Sequence, residues 1–256
     1  MVRIMRIVFI LGTAGSGKSL LTASFSEWLK LQRQNVITVN LDPGAITLPY
    51  NPDVDVREFI DLYDIMEKYN LGPNGAMILA SDLLVEEIET INERILEIDP
   101  DIAIVDTPGQ LELFAFRASG PFIVKELGEG EKAILYLFDS VFSSDPINFI
   151  SNLFLSAAIY YRFLTPQINA LSKCDLLPED KLNQIVDWSA SPLKLEEAVD
   201  KVKGERRILS RDLMRLIYRL GLRFLLIPIS SKTNKGMINL NMALERAVSG
   251  GDKYTY

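Results

Sequence analysis

Gly12-Thr13-Ala14-Gly15-Ser16-Gly17-Lys18-Ser19 is the most informative stretch of this sequence. It follows an apolar run, residues 7–10, and leads into a helical pattern of apolar residues, so it joins a strand to a helix. Its spacing, G-x-x-x-x-G-K-S, is that of a phosphate-binding loop. Glycines let backbone N–H groups turn toward phosphate oxygens at a helix N-terminus, where the helix dipole favours negative charge. The stretch predicts a bound nucleoside phosphate, with Lys18 on the β- and γ-phosphates and the Ser19 hydroxyl on Mg²⁺.

The composition limits the chemistry that is available. The chain has 256 residues, a formal net charge of −7, one cysteine (Cys174) and no histidine. A histidine general base is therefore impossible, and a Zn²⁺ or Ni²⁺ site would have one thiol and no imidazole as ligands. The negative charge argues against a broad basic surface for nucleic acid, and no apolar stretch reaches the roughly 18 residues of a membrane span. A single cysteine fits a reducing, cytoplasmic compartment.

The second and third predicted strands both end in an acidic residue. These are Asp42 and Asp106, and the latter opens the stretch Asp106-Thr107-Pro108-Gly109-Gln110. Its D-x-x-G pattern is that of the γ-phosphate sensor of GTPases, in which Asp106 would hold Mg²⁺ and the Gly109 amide would meet the γ-phosphate. Gln110 follows directly and could orient the attacking water. For Asp42 two interpretations stay open: a role in holding Mg²⁺ or the water, and an ordinary Asp-Pro turn.

Two motifs in the second half of the chain predict which base is bound. Ser172-Lys173-Cys174-Asp175 follows a strand-like run and matches the guanine-recognition pattern N/T-K-x-D, with serine in the first position. The Asp175 carboxylate can accept hydrogen bonds from guanine N1–H and the 2-amino group, a donor pair that adenine lacks. The Lys173 stem can pack along the base, whereas the short Ser172 side chain is expected to loosen the loop bracing that asparagine provides. Ser230-Ser231-Lys232 would contact guanine O6 through backbone N–H groups.

The order of these elements predicts one α/β domain over residues 1–250. Six strands alternate with helical patterns, which is typical of a three-layer fold with a mostly parallel central sheet. Residues 46–100 are predicted as a helical insertion between the second and third strands, and within it residues 70–75 have the composition of a tight turn. Residues 176–223 are predicted as a second, charged helical insertion, and residues 251–256 as a frayed tail.

The motifs in this order, with Gly72-Pro73-Asn74 in the first insertion, resemble those of the GPN-loop GTPases over essentially the whole chain. The resemblance implies a P-loop NTPase fold and a Mg²⁺-dependent, archaeal-type homodimer that hydrolyses GTP to GDP. It also implies that the Gly72-Pro73-Asn74 loop of one subunit reaches the nucleotide of the other. Asn74 would bring its amide to the γ-phosphate in place of an arginine finger. Mg²⁺ and water would be assembled by Asp42, Asp106 and Gln110, with Glu112 as a weaker candidate.

Other functions stay open at this stage. A phosphotransferase would use the same loop to phosphorylate a small molecule, and the chain has the arginines that a lid needs: Arg206, Arg207, Arg211, Arg215, Arg219 and Arg223. A scaffold could bind GTP and hardly hydrolyse it, because intrinsic rates without an arginine finger can be on the order of 10⁻⁴ s⁻¹. A nickel-loading metallochaperone GTPase fits least, since the chain lacks histidine. For a GTPase switch or assembly factor, a protein client is a further partner to consider.

Overall fold

A seven-stranded parallel sheet forms the centre of the chain in a computed structural model that describes residues 4–202, 206–219 and 224–248. The strands are β1 (Met5–Gly12), β2 (Val36–Asn40), β3 (Val54–Asp55), β4 (Ile102–Asp106), β5 (Gly130–Asp139), β6 (Gln167–Ser172) and β7 (Leu226–Pro228). Their order across the sheet is β3-β2-β4-β1-β5-β6-β7, and each neighbouring pair is parallel. The strand that leads into the phosphate-binding loop, β1, therefore lies in the middle of the sheet.

Helices cover both faces of the sheet. In the described ranges they are α1 (Lys18–Leu31), α2 (Leu62–Tyr69), α3 (Pro73–Glu86), α4 (Ile88–Ile98), α5 (Leu111–Phe114), α6 (Ser119–Glu126), α7 (Pro146–Phe163), α8 (Glu179–Ala190), α9 (Pro192–Asp200), α10 (Arg206–Arg219) and α11 (Met237–Val248). Successive residues of a strand point to opposite faces. Ile7 and Phe9 of β1 accordingly pack in a core cluster with α3, α4 and α7, whereas Val8 and Ile10 pack with α1 and α11. The predicted three-layer α/β fold is confirmed.

The first insertion contains a strand that the sequence analysis missed. β3 is two residues long and pairs with β2 at the edge of the sheet, with Val54 opposite Val39. A two-residue strand is too short to show the alternation of apolar and polar residues that marks a strand, so the sequence did not predict it. Within the predicted helical insertion, α3 ends at Glu86 and α4 begins at Ile88, with Glu87 between the two helices. The short helices α5 and α6 were not predicted either.

The tight turn predicted before α3 is confirmed for its first three residues. α2 ends at Tyr69, and Asn70 adopts a left-handed conformation with φ of 50° that stops the helix. Gly72 is the N-cap of α3, and Pro73 takes the first helical position, where a backbone N–H is not needed. Asn74 therefore lies in the first turn of a helix and not in a loop.

The described part of the second predicted insertion is mostly helical and contains α8, α9 and α10. The last residues of that insertion, and the predicted tail at residues 251–256, lie outside the described residues. Across the ranges that the structure describes, none of the helices combines the length and the apolar character needed to cross a membrane.

Gly120 tests the close packing of α6. A Cβ at this position would lie 1.8 Å from the Phe114 carbonyl oxygen, so the backbone would have to move. We expect Gly120→Ala to lower the free energy of unfolding by about 1–3 kcal/mol or more, as overpacking does elsewhere. Gly75→Ala is the control, because a Cβ there would meet only the Leu71 side chain, at 3.4 Å. Urea denaturation measures both, and equal stability of the two variants would contradict the prediction.

Candidate nucleotide-binding site

The carboxyl ends of five strands bring the predicted motifs to one edge of the sheet. β1 ends at Gly12, β4 at Asp106 and β6 at Ser172. Asp42 lies two residues beyond β2, and Ser230 lies two residues beyond β7. Because the strands are parallel, these five positions share the edge where open α/β sheets bind ligands. Motifs that are far apart in the sequence are thus neighbours in the structure.

Two glycines shape the loop between β1 and α1. At Gly12 a Cβ would lie 2.6 Å from the Ser16 hydroxyl oxygen and 3.1 Å from the Leu137 side chain. Gly17, the N-cap of α1, has φ of 96°, a left-handed conformation that favours glycine. Since glycine offers no side-chain cap, the first N–H groups of α1 remain for an anionic ligand. The buried Ser16 hydroxyl has no hydrogen-bond partner within the described residues.

Lys18 is folded back against this loop. Its Nζ donates hydrogen bonds to the carbonyl oxygens of Gly12, at 3.0 Å, and Thr13, at 3.3 Å. The side chain is only 6% exposed. Burial lowers the pKa of Lys18, although the carboxylates of Asp106 and Asp42 oppose that shift. A buried cation facing two carboxylates at a phosphate-binding loop is suited to bind the phosphates of a nucleotide.

Asp42 forms the Asp-Pro turn that the sequence left open as one interpretation, whereas its role in holding Mg²⁺ or the attacking water stays a prediction. Its Oδ1 accepts a hydrogen bond from the Gly44 N–H at 3.0 Å, which is the geometry of an Asp-Pro turn. Its Oδ2 accepts a hydrogen bond from the Gly109 N–H at 3.1 Å, 67 residues along the chain. The same carboxylate therefore forms the turn and contacts the D-x-x-G loop.

Asp106 is buried with its two carboxylate oxygens in different surroundings. Oδ2 accepts a hydrogen bond from the Tyr50 hydroxyl at 3.0 Å, whereas Oδ1 has no hydrogen-bond partner in the described part of the chain. Burial raises the pKa of Asp106 to about 6, although hydrogen bonds from the Ser19 and Tyr50 hydroxyls and the charge of Lys18 oppose that rise. A buried carboxylate oxygen normally has a hydrogen-bond donor, an ordered water or an ion as its partner.

The donor set fits Mg²⁺ bound together with a nucleotide. Protein sites usually hold Mg²⁺ through one or two carboxylates, with waters and substrate phosphates as the other ligands. Ser19, Asp42 and Asp106 offer one hydroxyl and two carboxylates. Among the described residues, no group of three or more His, Cys, Asp or Glu side chains is placed to hold a metal ion. One hydroxyl and two carboxylates leave the remaining positions around Mg²⁺ to waters and phosphate oxygens.

A cavity of about 530 Å³ lies beside the phosphate-binding loop. It is bordered by Thr13 and Ala14 of that loop, by Gly109 and Gln110, and by Asn74 of α3. The remaining lining residues are mostly apolar: Leu111, Glu112, Leu113, Phe116 and Leu155. The side chains of Gln110 and Asn74 are exposed. The structure thus brings Asn74 next to the phosphate-binding loop and the D-x-x-G loop of its own chain.

The helix that carries Asn74 also contacts the loop that follows Asp42. At Gly44 a Cβ would lie 2.7 Å from Met77 Sδ, so the α3 side chain occupies the space over this glycine. On the other side, Arg57 donates a hydrogen bond from Nη1 to the Ala45 carbonyl oxygen at 2.8 Å. The loop is therefore held between α3 and the segment that follows β3.

Ser230 organises the residues predicted to bind the base. Its hydroxyl donates a hydrogen bond to Asp175 Oδ1 at 2.7 Å, and this contact holds the pKa of Asp175 below its usual value. The same oxygen accepts hydrogen bonds from the N–H groups of Lys232, at 3.3 Å, and Thr233, at 3.2 Å. The Lys232 N–H is thus directed at Ser230, which leaves Ser231 as the stronger candidate for guanine O6.

Lys173 and Ser172 connect the base-binding end to the phosphate-binding loop. Lys173 Nζ lies 2.6 Å from Asp139 Oδ2, and its stem passes over Gly17. The Ser172 hydroxyl lies 2.8 Å from the Ser16 carbonyl oxygen and 3.1 Å from that of Phe138. The end of β6 is therefore close enough to the loop for the short serine side chain to reach it, and whether serine braces the loop less than asparagine stays a prediction.

Three supporting residues were missed by the sequence analysis. Tyr50 contacts Asp106, and Asn40 Nδ2 bridges the Asp42 carbonyl oxygen and Asp55 Oδ1. No motif marks either residue. Asp139, however, ends the strand β5, and the rule that selected the acidic residues at other strand ends would have found it.

Comparisons with known proteins agree with this arrangement. A family model described as a conserved hypothetical ATP binding protein matches residues 10–250. The chain is 32% identical to a GPN-loop GTPase of Pyrococcus abyssi, over 96% of this chain and 99% of that protein. It is 27% identical to GPN-loop GTPase 1 of Saccharomyces cerevisiae, over 96% of this chain and 67% of that one. The crystal structure of the Pyrococcus abyssi GTPase in apo form superposes with a TM-score of 0.83 at 29% identity, covering 95% of this chain and 97% of that chain. The chain belongs to the GPN-loop GTPase family and is a GTP-binding GTPase.

Removal of the Ser172 hydroxyl tests the bracing of the phosphate-binding loop. We expect Ser172→Ala to weaken GDP binding by about 1 kcal/mol, the usual net value of one hydrogen bond, because the Ser16 carbonyl loses its contact. Ser151→Ala is the control, since it removes an exposed hydroxyl that bonds only within α7. Titration calorimetry gives both affinities. If Ser172→Ala binds GDP as tightly as the control, the contact does not brace the loop.

Proposed function

Because the chain is a GPN-loop GTPase, we propose that it hydrolyses GTP to GDP and phosphate as a Mg²⁺-dependent homodimer, acting as a nucleotide switch or assembly factor. In this proposal the Gly72–Pro73–Asn74 turn of one subunit completes the site of the other. The observation that carries the proposed hydrolysis is the cavity of a single chain that Thr13, Gly109, Gln110 and Asn74 border together. The contact across the dimer rests on the family resemblance and on the exposed turn. A γ-phosphate on the phosphate-binding loop would point into this space, where two amide side chains could contact it and the attacking water.

The roles of the charged residues follow from the same geometry. Ser19, Asp42 and Asp106 would hold Mg²⁺, which when bound neutralises charge on the β- and γ-phosphate oxygens. Lys18 Nζ would exchange its two carbonyl partners for phosphate oxygens and keep a cation at that point. The chain has no histidine, so catalysis would consist of positioning and electrostatic stabilisation, without a covalent intermediate.

The contact between Asp42 and Gly109 supports a nucleotide-gated switch. The Gly109 N–H, which the D-x-x-G motif assigns to the γ-phosphate, is bonded to the Asp42 carboxylate in this structure. When GTP binds, the γ-phosphate would replace the Asp42 carboxylate as the acceptor for the Gly109 N–H. When phosphate leaves, the Gly109 N–H would bond to Asp42 again. The loops after Asp42 and Asp106 would therefore have two arrangements, which is how γ-phosphate switches work in other GTPases.

Gly72 supports contact with a second copy of the chain. Its φ of −72° and ψ of 169° suit any residue, and none of the described residues lies within 4 Å of the position of a Cβ. The fold of this chain therefore does not require glycine there, and we assign the glycine to close approach by another molecule. Pro73 and Asn74 are exposed beside it. In a two-fold dimer across this face, each turn would lie near the cavity of the partner.

The arginines of α10 give little support to a phosphotransferase lid. Arg215 pairs with Glu196 of α9 at 2.6 Å, and Arg211 is bonded to Asp200 of the same helix. These contacts hold both guanidinium groups against α9. The side chains of Arg206, Arg207 and Arg223 lie outside those described. A product assay separates GTP hydrolysis from phosphotransfer. Hydrolysis releases free phosphate from GTP, whereas a phosphotransferase yields a phosphorylated small molecule.

Asp175 tests the assignment of the base site. We expect Asp175→Asn to weaken GTP binding by about 1–3 kcal/mol and to reduce the preference for GTP over ATP, because an amide cannot accept from both guanine donors. Asp180→Asn, which removes an exposed carboxylate in α8, is the matched control. Competition between the two nucleotides measures the preference. An unchanged preference in Asp175→Asn would show that the base binds elsewhere.

Asn74 tests the catalytic role of the turn. We expect Asn74→Ala to slow GTP hydrolysis by about 10²-fold, the usual effect of removing one donor from a site of developing charge, and to leave GDP affinity unchanged. Asn183→Ala, which truncates an exposed asparagine of α8, should hydrolyse GTP at the normal rate. Single-turnover phosphate release measures both. A normal rate in Asn74→Ala would reduce the turn to a structural element.

Mixed subunits decide whether Asn74 acts on its own chain or on the partner. A dimer of one Asn74→Ala subunit and one Lys18→Ala subunit has an intact phosphate-binding loop in the first and an intact Asn74 in the second. Hydrolysis by this mixture is expected only if Asn74 acts across the dimer. If mixed dimers form and stay inactive, Asn74 acts on the cavity of its own chain.

A further inference from the structure

We infer that Tyr50 is a positioning residue for Asp106: its hydroxyl occupies one carboxylate oxygen so that the other is presented to the metal ion of the bound nucleotide. The inference rests on the Mg²⁺ site of the proposed function. It assigns a role to a residue that belongs to none of the nucleotide-binding motifs.

Tyr50 is the donor in its hydrogen bond with Asp106. The Tyr50 hydroxyl lies 3.0 Å from Asp106 Oδ2. A tyrosine hydroxyl carries its proton at neutral pH, and an ionised carboxylate has acceptor oxygens only. It therefore acts as the donor, and a hydrogen bond to an ionised acceptor is stronger than one between neutral groups.

The two oxygens of Asp106 have different surroundings. The terminal torsion of an aspartate is broad and nearly two-fold, so in uniform surroundings its oxygens are interchangeable. Here Oδ2 accepts the hydrogen bond from the Tyr50 hydroxyl, and Oδ1 is buried with no hydrogen bond of normal geometry in the described ranges. The Ser19 hydroxyl at the start of α1 also lies close enough to Asp106 to lower the pKa of the carboxyl. The Tyr50 hydroxyl thus fixes the plane of the carboxylate and leaves Oδ1 as the oxygen without a ligand.

The segment that carries Tyr50 is itself anchored. Three residues further along, the Asp53 carboxylate accepts hydrogen bonds from the Thr38 N–H, at 2.7 Å, and from its hydroxyl, at 3.0 Å. Thr38 lies in β2, which pairs with the strand β4 that carries Asp106. The segment that carries Tyr50 is therefore tied to β2, the strand next to the one that carries Asp106.

This arrangement makes a specific statement about metal binding. The Tyr50 hydroxyl orients Asp106 before the nucleotide arrives. Binding of the ion therefore loses no free energy to ordering of the carboxylate. The hydroxyl acts through Asp106 and has no predicted contact with the base or with the phosphate-binding loop. Its removal should therefore weaken only the part of nucleotide binding that depends on Mg²⁺.

Tyr50→Phe removes the hydroxyl and keeps the ring. GDP affinity is measured by titration in Mg²⁺ and in EDTA, for wild type, Tyr50→Phe and the control Tyr63→Phe. Tyr63 is an exposed tyrosine of α2, 74% accessible. We expect wild type and Tyr63→Phe to bind GDP more tightly in Mg²⁺. Tyr50→Phe should lose roughly tenfold of that gain, the value of one hydrogen bond to a charged group, with unchanged affinity in EDTA.

Each other outcome overturns the inference in a distinguishable way. If Tyr50→Phe gains as much from Mg²⁺ as wild type, the hydroxyl does not position Asp106. If it gains more, the hydroxyl competes with the ion. If affinity falls equally in Mg²⁺ and EDTA, Tyr50 has only a structural role, which a lower melting temperature would accompany. If wild type itself gains nothing from Mg²⁺, the proposed metal site fails, and this inference fails with it.

Discussion

All seven strands of the sheet run in the same direction, and the nucleotide site depends on that constraint. Parallel strands deliver their carboxyl ends to one edge, so Gly12, Asp106 and Ser172 meet there although the sequence separates them. The same edge collects charge. Burial works against the ionised forms of both Lys18 and Asp106, and each partly offsets the cost of the other. A phosphate and its cation would complete a site that the chain has already largely desolvated.

The loops at this edge are held by contacts that a nucleotide would replace. Lys18 is bonded to the carbonyl oxygens of its own loop, and Asp42 is bonded to the Gly109 N–H. Each contact satisfies a polar group that would be costly to leave unpaired. In the proposed mechanism, nucleotide binding therefore replaces the hydrogen-bond partners of Lys18 and Gly109 by phosphate oxygens. It leaves few buried polar groups without a partner. Such an exchange separates two arrangements by a small free energy, which is the property that a switch requires.

The sequence was sufficient where function depends on local backbone geometry, and insufficient where it depends on distances across the fold. The phosphate-binding loop and the strand-end carboxylates follow from glycine spacing and apolar runs, which are local patterns. The contact of Tyr50 with Asp106 joins residues that no pattern connects, so only the structure could supply it. The contact of Ser172 with the Ser16 carbonyl has the same origin, because the gap between β6 and the loop cannot be measured along the chain. Asn74 was identified by resemblance, and its place at its own chain's cavity came from the fold.

The packing of Met77 on Gly44 gives the proposed dimer a thermodynamic property. The Asp42 loop and the helix that begins with the Gly72–Pro73–Asn74 turn are in direct contact there, and close-packed side chains transmit displacements. If the loop changes arrangement with the nucleotide, the turn that would meet the second subunit in the proposed dimer has to respond. Linkage then works in both directions by the same factor. A nucleotide that tightens the association of the two subunits is itself bound more tightly by the pair than by one subunit alone.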